Sequence, residues 1–180
     1  TDRLIEMVDR GGKESPKYEK LCREVEEKRE AKKEKHIQLA NEMLARLVEL
    51  AGRHGVLLGI ENREALEEIP FESDFQFLFR EFANPTVRYW HDTGHAQLWE
   101  NLGVLKHQDY LDNYAQYLLG VHLHDIQGTR DHLAPLRGSF DFALLKPYLK
   151  NDTLKIMEAH YPASPADIIA ARNYLEKLYA

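Results

Sequence analysis

Glu61, Asp92, His124 and Glu158 each end a short apolar run rich in β-forming residues, and the gaps between them are 31, 32 and 34 residues. A β-strand with its crossover helix takes about 30 residues. Four positions at that period therefore fall at equivalent ends of four successive parallel strands. In closed or doubly wound α/β folds, that end is where active sites are built. Three carboxylates and one imidazole form a donor set for a single divalent cation, Mn, Mg, Co or Zn.

The intervening sequence supports strand-then-helix repetition. Ser15 and Pro16 give an N-cap and a first-turn proline, opening a helix expected to run to about Arg53. Its first half, Lys17 to Lys35, is charge-dense and reads as a solvated face. Ile37, Leu39, Ala40, Met43, Leu44, Leu47, Val48 and Leu50 then supply an apolar stripe at helical spacing. Four units follow, with strands expected at Val56–Ile60, Thr86–Trp90, Leu119–Leu123 and Thr153–Met157. Asp125 to Ser139 reads as a polar loop, a helix is expected around Phe140 to Leu149, and Ser164-Pro165 opens the last helix.

The expected organisation is one α/β domain, with residues 1–54 as a charged helical lead-in and residues 55–180 as four β/α units. A complete (β/α)8 barrel typically needs about 250 residues. The expected architecture is therefore the C-terminal half of a TIM-type barrel. Association of two half-barrels into a homo-oligomer is the alternative, disfavoured because a parallel half-sheet leaves edge strands open.

Composition narrows the partners. A formal charge of −6 argues against a general polyanion binder, so nucleic acid is not the expected partner. No apolar run approaches the ~20 residues needed to cross a bilayer. The single Cys22 cannot form an intramolecular disulfide, which suits a reducing cytoplasm.

Two motifs carry the chemistry. In Asp92-Thr93-Gly94-His95, Gly94 permits a sharp turn and leaves Asp92 and His95 aimed at the same space. In His122-Leu123-His124-Asp125, strand alternation places both histidines on one face. His124 is taken as the metal ligand and His122 as a supporting or core residue. A carboxylate buried at the end of an apolar strand needs a partner. For Glu61 and Glu158 that partner is a cation, or in the competing reading an ion pair with Arg63, Arg130 or Arg137.

Taken in order, Gly59-Ile60-Glu61-Asn62, Asp92-Thr93-Gly94-His95, His122-Leu123-His124-Asp125 and Ile156-Met157-Glu158 resemble the xylose-isomerase-like superfamily of TIM barrels. The segment from Asp131 to Phe142 resembles that superfamily's Pro-Gly-x-Gly-x-Ile-Asp-Phe stretch, with Leu136 where a glycine is frequent. The resemblance covers roughly residues 40 to 180. It implies one divalent metal held by Glu61, Asp92, His124 and Glu158, with Glu61 and Glu158 also exchanging the proton on the reacting carbon. It implies a small carbohydrate substrate contacted by His95, by Arg130 and by Asp125. The implied activity is isomerisation or epimerisation of a sugar, sugar phosphate or related polyol or keto acid through an enediolate.

Two other readings compete. The same superfamily contains zinc phosphodiesterases that cut DNA at abasic sites, and His95, Asp131 and His132 could serve extra metal ions there. The acidic composition argues against that reading. A non-catalytic sugar-binding or scaffold protein on the same barrel is the third reading, since a fold alone does not guarantee activity.

Overall fold

The computed structural model describes all residues from Thr1 to Ala180, in two compact units, Thr1–Tyr89 and Trp90–Ala180.

The first unit opens with α1 (Asp2–Asp9) and α2 (Pro16–His54, 39 residues). Ser15 caps α2 by accepting from the Tyr18 N–H, and Gly55, at φ 64°, ends it in the left-handed conformation. Strand β1 (Leu58–Glu61), a 3₁₀ turn (Glu72–Asp74) and α3 (Phe75–Glu81) follow, leading into β2 (Val87–Asp92). The Leu58 N–H donates to the Thr86 carbonyl at 2.8 Å, which sets β1 beside the start of β2. Phe75 packs on Phe79 and meets the edge of Tyr89 at 5.0 Å, and the Tyr89 hydroxyl donates to Asn62 Oδ1.

Two expectations about α2 change. The charged half is not uniformly solvated. Arg29 is nearly buried, donating through Nε to the Leu66 carbonyl at 2.8 Å and pairing with the buried Asp74, which Lys33 also approaches. That buried pair is what joins α2 to the segment after β1. Conversely, the apolar stripe is largely open: Leu44 and Ala51 are buried, while Leu39, Met43, Leu47 and Leu50 are exposed.

The second unit runs from the end of β2 through α4 (Thr93–Leu102), α5 (His107–Tyr114), β3 (Leu118–Leu123), β4 (Asp125–Gln127), β5 (Arg130–Leu133), β6 (Leu154–Met157) and α6 (Pro165–Leu178). Its sheet order is β2-β3-β6, and β3 runs parallel to β6 with His122 opposite Ile156 and Leu123 opposite Met157. Leu111, Val121, Leu123, Phe142, Leu145 and Leu175 form its core, with Met157 packed against them. Leu154 and Ile156, on the other face of β6, are exposed.

The stretch read as a polar loop contains the antiparallel hairpin β4–β5, pairing Asp125 with Leu133 and Gln127 with Arg130. The helix expected over 140–149 is reduced to one 3₁₀ turn, Phe142–Leu145. No helix is long and apolar enough to cross a membrane. The architecture is α/β with a parallel sheet, as expected for part of a TIM-type barrel.

Candidate metal centre

Alternation along β2 sends Trp90 and Asp92 to one face of the sheet and His91 to the other. Asp92 is fully buried and caps α4, its Oδ1 accepting from the His95 N–H at 2.8 Å. His124 Nε2 lies 2.8 and 2.9 Å from the two Asp92 oxygens, and His122 Nδ1 lies 3.7 Å from Oδ2. Burial alone would push the Asp92 carboxyl up. The hydrogen bonds from His122 and His124, with the neighbouring imidazoles, outweigh it and hold the group far below the usual carboxylate range. Asp92 is thus a buried, ionised carboxylate at a strand end.

Thr93 ties the two strand ends together. Its hydroxyl lies 3.1 Å from the His122 carbonyl and 2.8 Å from the His124 carbonyl, and it accepts from the His124 N–H. The next residue, Gly94, lies under the His124 ring.

The two histidines of the second motif part company. His122 Nδ1 meets Glu158 Oε2 at 2.9 Å, and its ring meets Trp90 edge-on at 5.1 Å. His124 has both nitrogens occupied: the His132 N–H donates to Nδ1 at 2.9 Å, which assigns the proton to Nε2 and directs it at Asp92. Asp92, His122 and Glu158 each offer a ligand atom, and these atoms lie within 4.8 Å of one another. Two carboxylates and one imidazole suit Mn, Mg, Co or Zn, so the residues present fit a divalent cation. The imidazole in that set is His122, whereas the sequence reading chose His124. Alternation placed both on one face only if β3 continued; it stops at Leu123 and the chain turns into β4.

His124 belongs to a second cluster. Its ring stacks on His132 at 4.0 Å, His132 stacks on His160 at 4.0 Å, and the nearly buried His95 meets His124 and His132 edge-on. Burial works against the charged form of His132, but Asp131, 3.0 Å from its Nδ1, raises its affinity for the proton. Sequence reasoning did not single out His160, which has no motif around it.

The remaining expected site residues stand as follows. Glu61 closes β1 in the first unit, where Oε2 lies 3.1 Å from Arg63 Nη1, the ion pair weighed as the alternative to a metal. Asp125 was expected to contact substrate. It is instead buried, with Oδ1 accepting from the Ile126 and Phe140 N–H groups and Oδ2 from Gly138. Its carboxylate is engaged in pinning the 138–140 loop to the hairpin. Arg130 is exposed on β5 and lines a cavity with His160.

A family profile described as a xylose isomerase-like TIM barrel matches residues 16–178. A solved structure described as a D-tagatose 3-epimerase-like protein is similar at a TM-score of 0.60 and 20% identity, covering 79% of this chain and 54% of that one. The chain thus spans about half the length of that structure, and at this identity the likeness shows the fold alone. No curated protein matches. The chain belongs to the xylose isomerase-like TIM barrel family.

Proposed function

We propose that this chain carries the metal centre of a divalent-metal-dependent isomerase or epimerase acting on a sugar, sugar phosphate or related polyol or keto acid. The observation that carries the reading is the convergence of Asp92, His122 and Glu158. Family membership and the epimerase-like description of the similar structure support it. The proposal keeps Glu61 as the further ligand from its place at the end of β1, and it replaces His124 by His122.

The difficulty of the reaction is the negative charge that develops when a proton leaves the carbon next to a carbonyl. A bound divalent ion would supply Lewis-acid stabilisation of that charge. Asp92, buried and ionised, is a fixed anion that holds the cation, and His124 keeps its carboxylate oriented. Glu158 is about one-third exposed, so one of its oxygens would share the cation with His122 while the other reaches solvent and substrate. In this reading Glu158 and Glu61 move the proton on and off the reacting carbon. Return to the same carbon on the other face epimerises; return to the neighbouring carbon interconverts aldose and ketose. His95 is proposed to contact a substrate oxygen.

Glu158→Gln tests the assignment. Glutamine can still accept from His122, so the fold is expected to hold, while turnover of the ketose or aldose found by screening falls about 10²–10⁴-fold. Undiminished turnover would contradict the role.

One observation favours a second reading, cleavage of abasic DNA by several zinc ions: His95, His124 and His132 also offer ligand atoms within 4.8 Å of one another. The net charge of −6 opposes it. Two or three zinc ions per chain with nicking of abasic duplex would establish it in place of the first.

A further inference from the structure

A cavity of about 510 Å³ opens in the first unit between α1, the first half of α2 and the 66–69 segment that follows β1. That volume lies within the range of small-molecule sites, ~300–1,000 Å³. Part of its lining is apolar: Leu66 is buried, and Val25 and Ile69 are half-buried. The rest is dominated by positive charge. Arg3 comes from α1, and Lys28, Arg29, Lys32, Lys33 and His36 come from α2. Asp2 and Glu67 are the carboxylates set against them.

The cationic side chains of α2 form two rows at i, i+4 spacing, and the two rows meet different partners. Arg29 and Lys33 pair with Asp74 and Glu30, so that row is answered within the chain. Lys28, Lys32 and His36 form the adjacent row; all three are exposed, and none has a carboxylate within ion-pair distance. Glu67 is also engaged, accepting from the Thr1 hydroxyl at 2.6 Å and pairing with the Thr1 ammonium. Arg3, Lys28 and Lys32 therefore face Asp2 alone, on a chain whose net charge is −6. Like charges at i, i+4 repel and destabilise a helix. An anion held between Lys28 and Lys32 turns that repulsion into attraction.

Successive members of the row stand about 6 Å apart along the helix. Two phosphoryl groups of one molecule fill that span better than a single one. Lysine binds phosphate as a mobile point charge, and Arg3 adds a planar fork of donors from α1. Val25, Leu66, Ile69 and the lysine stems leave an apolar surface for an attached carbon skeleton.

We infer that this cavity binds a small molecule carrying two or more phosphoryl groups. The site lies wholly in the first unit, and it stands whether or not Asp92, His122 and Glu158 hold a metal.

The test is calorimetric titration of the full chain, dialysed free of metal, with inorganic pyrophosphate and separately with orthophosphate. Wild-type protein is expected to bind pyrophosphate in the millimolar range or tighter, and orthophosphate at least tenfold more weakly. Lys28→Gln with Lys32→Gln should weaken pyrophosphate binding tenfold or more; glutamine is nearly as good a helix former as lysine, so α2 is expected to persist. Lys28→Arg with Lys32→Arg keeps the charges and should keep the binding. Lys146→Gln with Lys150→Gln, which removes two lysines from a separate cavity on the second unit, should leave it unchanged. No binding of pyrophosphate, or equal binding by wild type and the Lys28→Gln, Lys32→Gln variant, would overturn the inference. So would a loss of the same size in the Lys146→Gln, Lys150→Gln variant, which would reduce the effect to general attraction by lysines. Orthophosphate binding as tight as pyrophosphate binding would overturn the requirement for two phosphoryl groups.

Discussion

The His124 ring lies so close over Gly94 that a β-carbon there would sit 2.0 Å from Cε1 and 2.5 Å from Nδ1. The sequence suggested that Gly94 was needed for a sharp turn. It lies instead within the first turn of α4, and what requires glycine is the approach of the imidazole that holds Asp92.

Gly94→Ala is therefore a local test of that packing. Alanine is the better helix former by about 1 kcal/mol. Displacing a ring bonded to both Asp92 and the His132 N–H costs more, in the ~1–3 kcal/mol range typical of overpacking. The variant is expected to lose stability in urea denaturation and to bind divalent metal more weakly. A gain in stability would contradict the contact.

Leu136 is the opposite case. It occupies the left-handed region at φ 78° with its side chain exposed, where the resembling family stretch has a glycine. That conformation costs a leucine roughly 1–2 kcal/mol. Leu136→Gly removes the strain and loses little burial, but frees the unfolded chain by about 0.5–1 kcal/mol. The expected net result is an unchanged or raised midpoint, by up to about 1 kcal/mol. A clear loss would show that Leu136 does more than sit strained at the surface.

Acid sensitivity follows from His91 and His107, both fully buried, with their Nε2 atoms 2.9 Å apart. His107 Nδ1 lies 3.1 Å from Gln97 Oε1 and so carries the proton, leaving Nε2 to accept from His91. Burial pushes His91 down to about 3 and pushes His107 well below its ordinary value. Both are neutral in the fold, while the unfolded chain takes up protons below pH 6.5. Their contribution is fully present above pH 6.5 and is lost as pH falls from there toward about 3. His132, raised by Asp131, works in the opposite sense, with a contribution lost as pH rises through its raised value. Two depressed histidines outweigh one raised one, so stability between pH 6.5 and 5 should fall by about 1–3 kcal/mol per pH unit. Urea midpoints at pH 7, 6 and 5 measure it; a flat series would contradict the neutral pair.

The strand ends were legible in the sequence because an apolar run that stops at a carboxylate is a local pattern. β1 ends at Glu61 and β2 at Asp92, and β6 ends one residue before Glu158. That His122 is the histidine grouped with Asp92 and Glu158 was not legible. It depends on where β3 stops, and the hairpin that stops it is written in short polar strands that read as loop. The burial of the Asp125 carboxylate was not legible because donors that occupy it come from Gly138 and Phe140, distant in sequence. Arg29 was hidden among many charges of both signs; only the position of Asp74 shows which of them is buried.

The most direct test of the account is the divalent metal content of the purified chain, before and after His122→Ala. About one Mn, Mg, Co or Zn per chain is expected in the wild type, with the metal lost in His122→Ala. In His124→Ala, which removes the ring that orients Asp92 but none of the three proposed ligands, the metal should be retained with affinity weakened about 10–100-fold. No metal under any loading condition, or full retention in His122→Ala, would contradict a centre built on Asp92, His122 and Glu158.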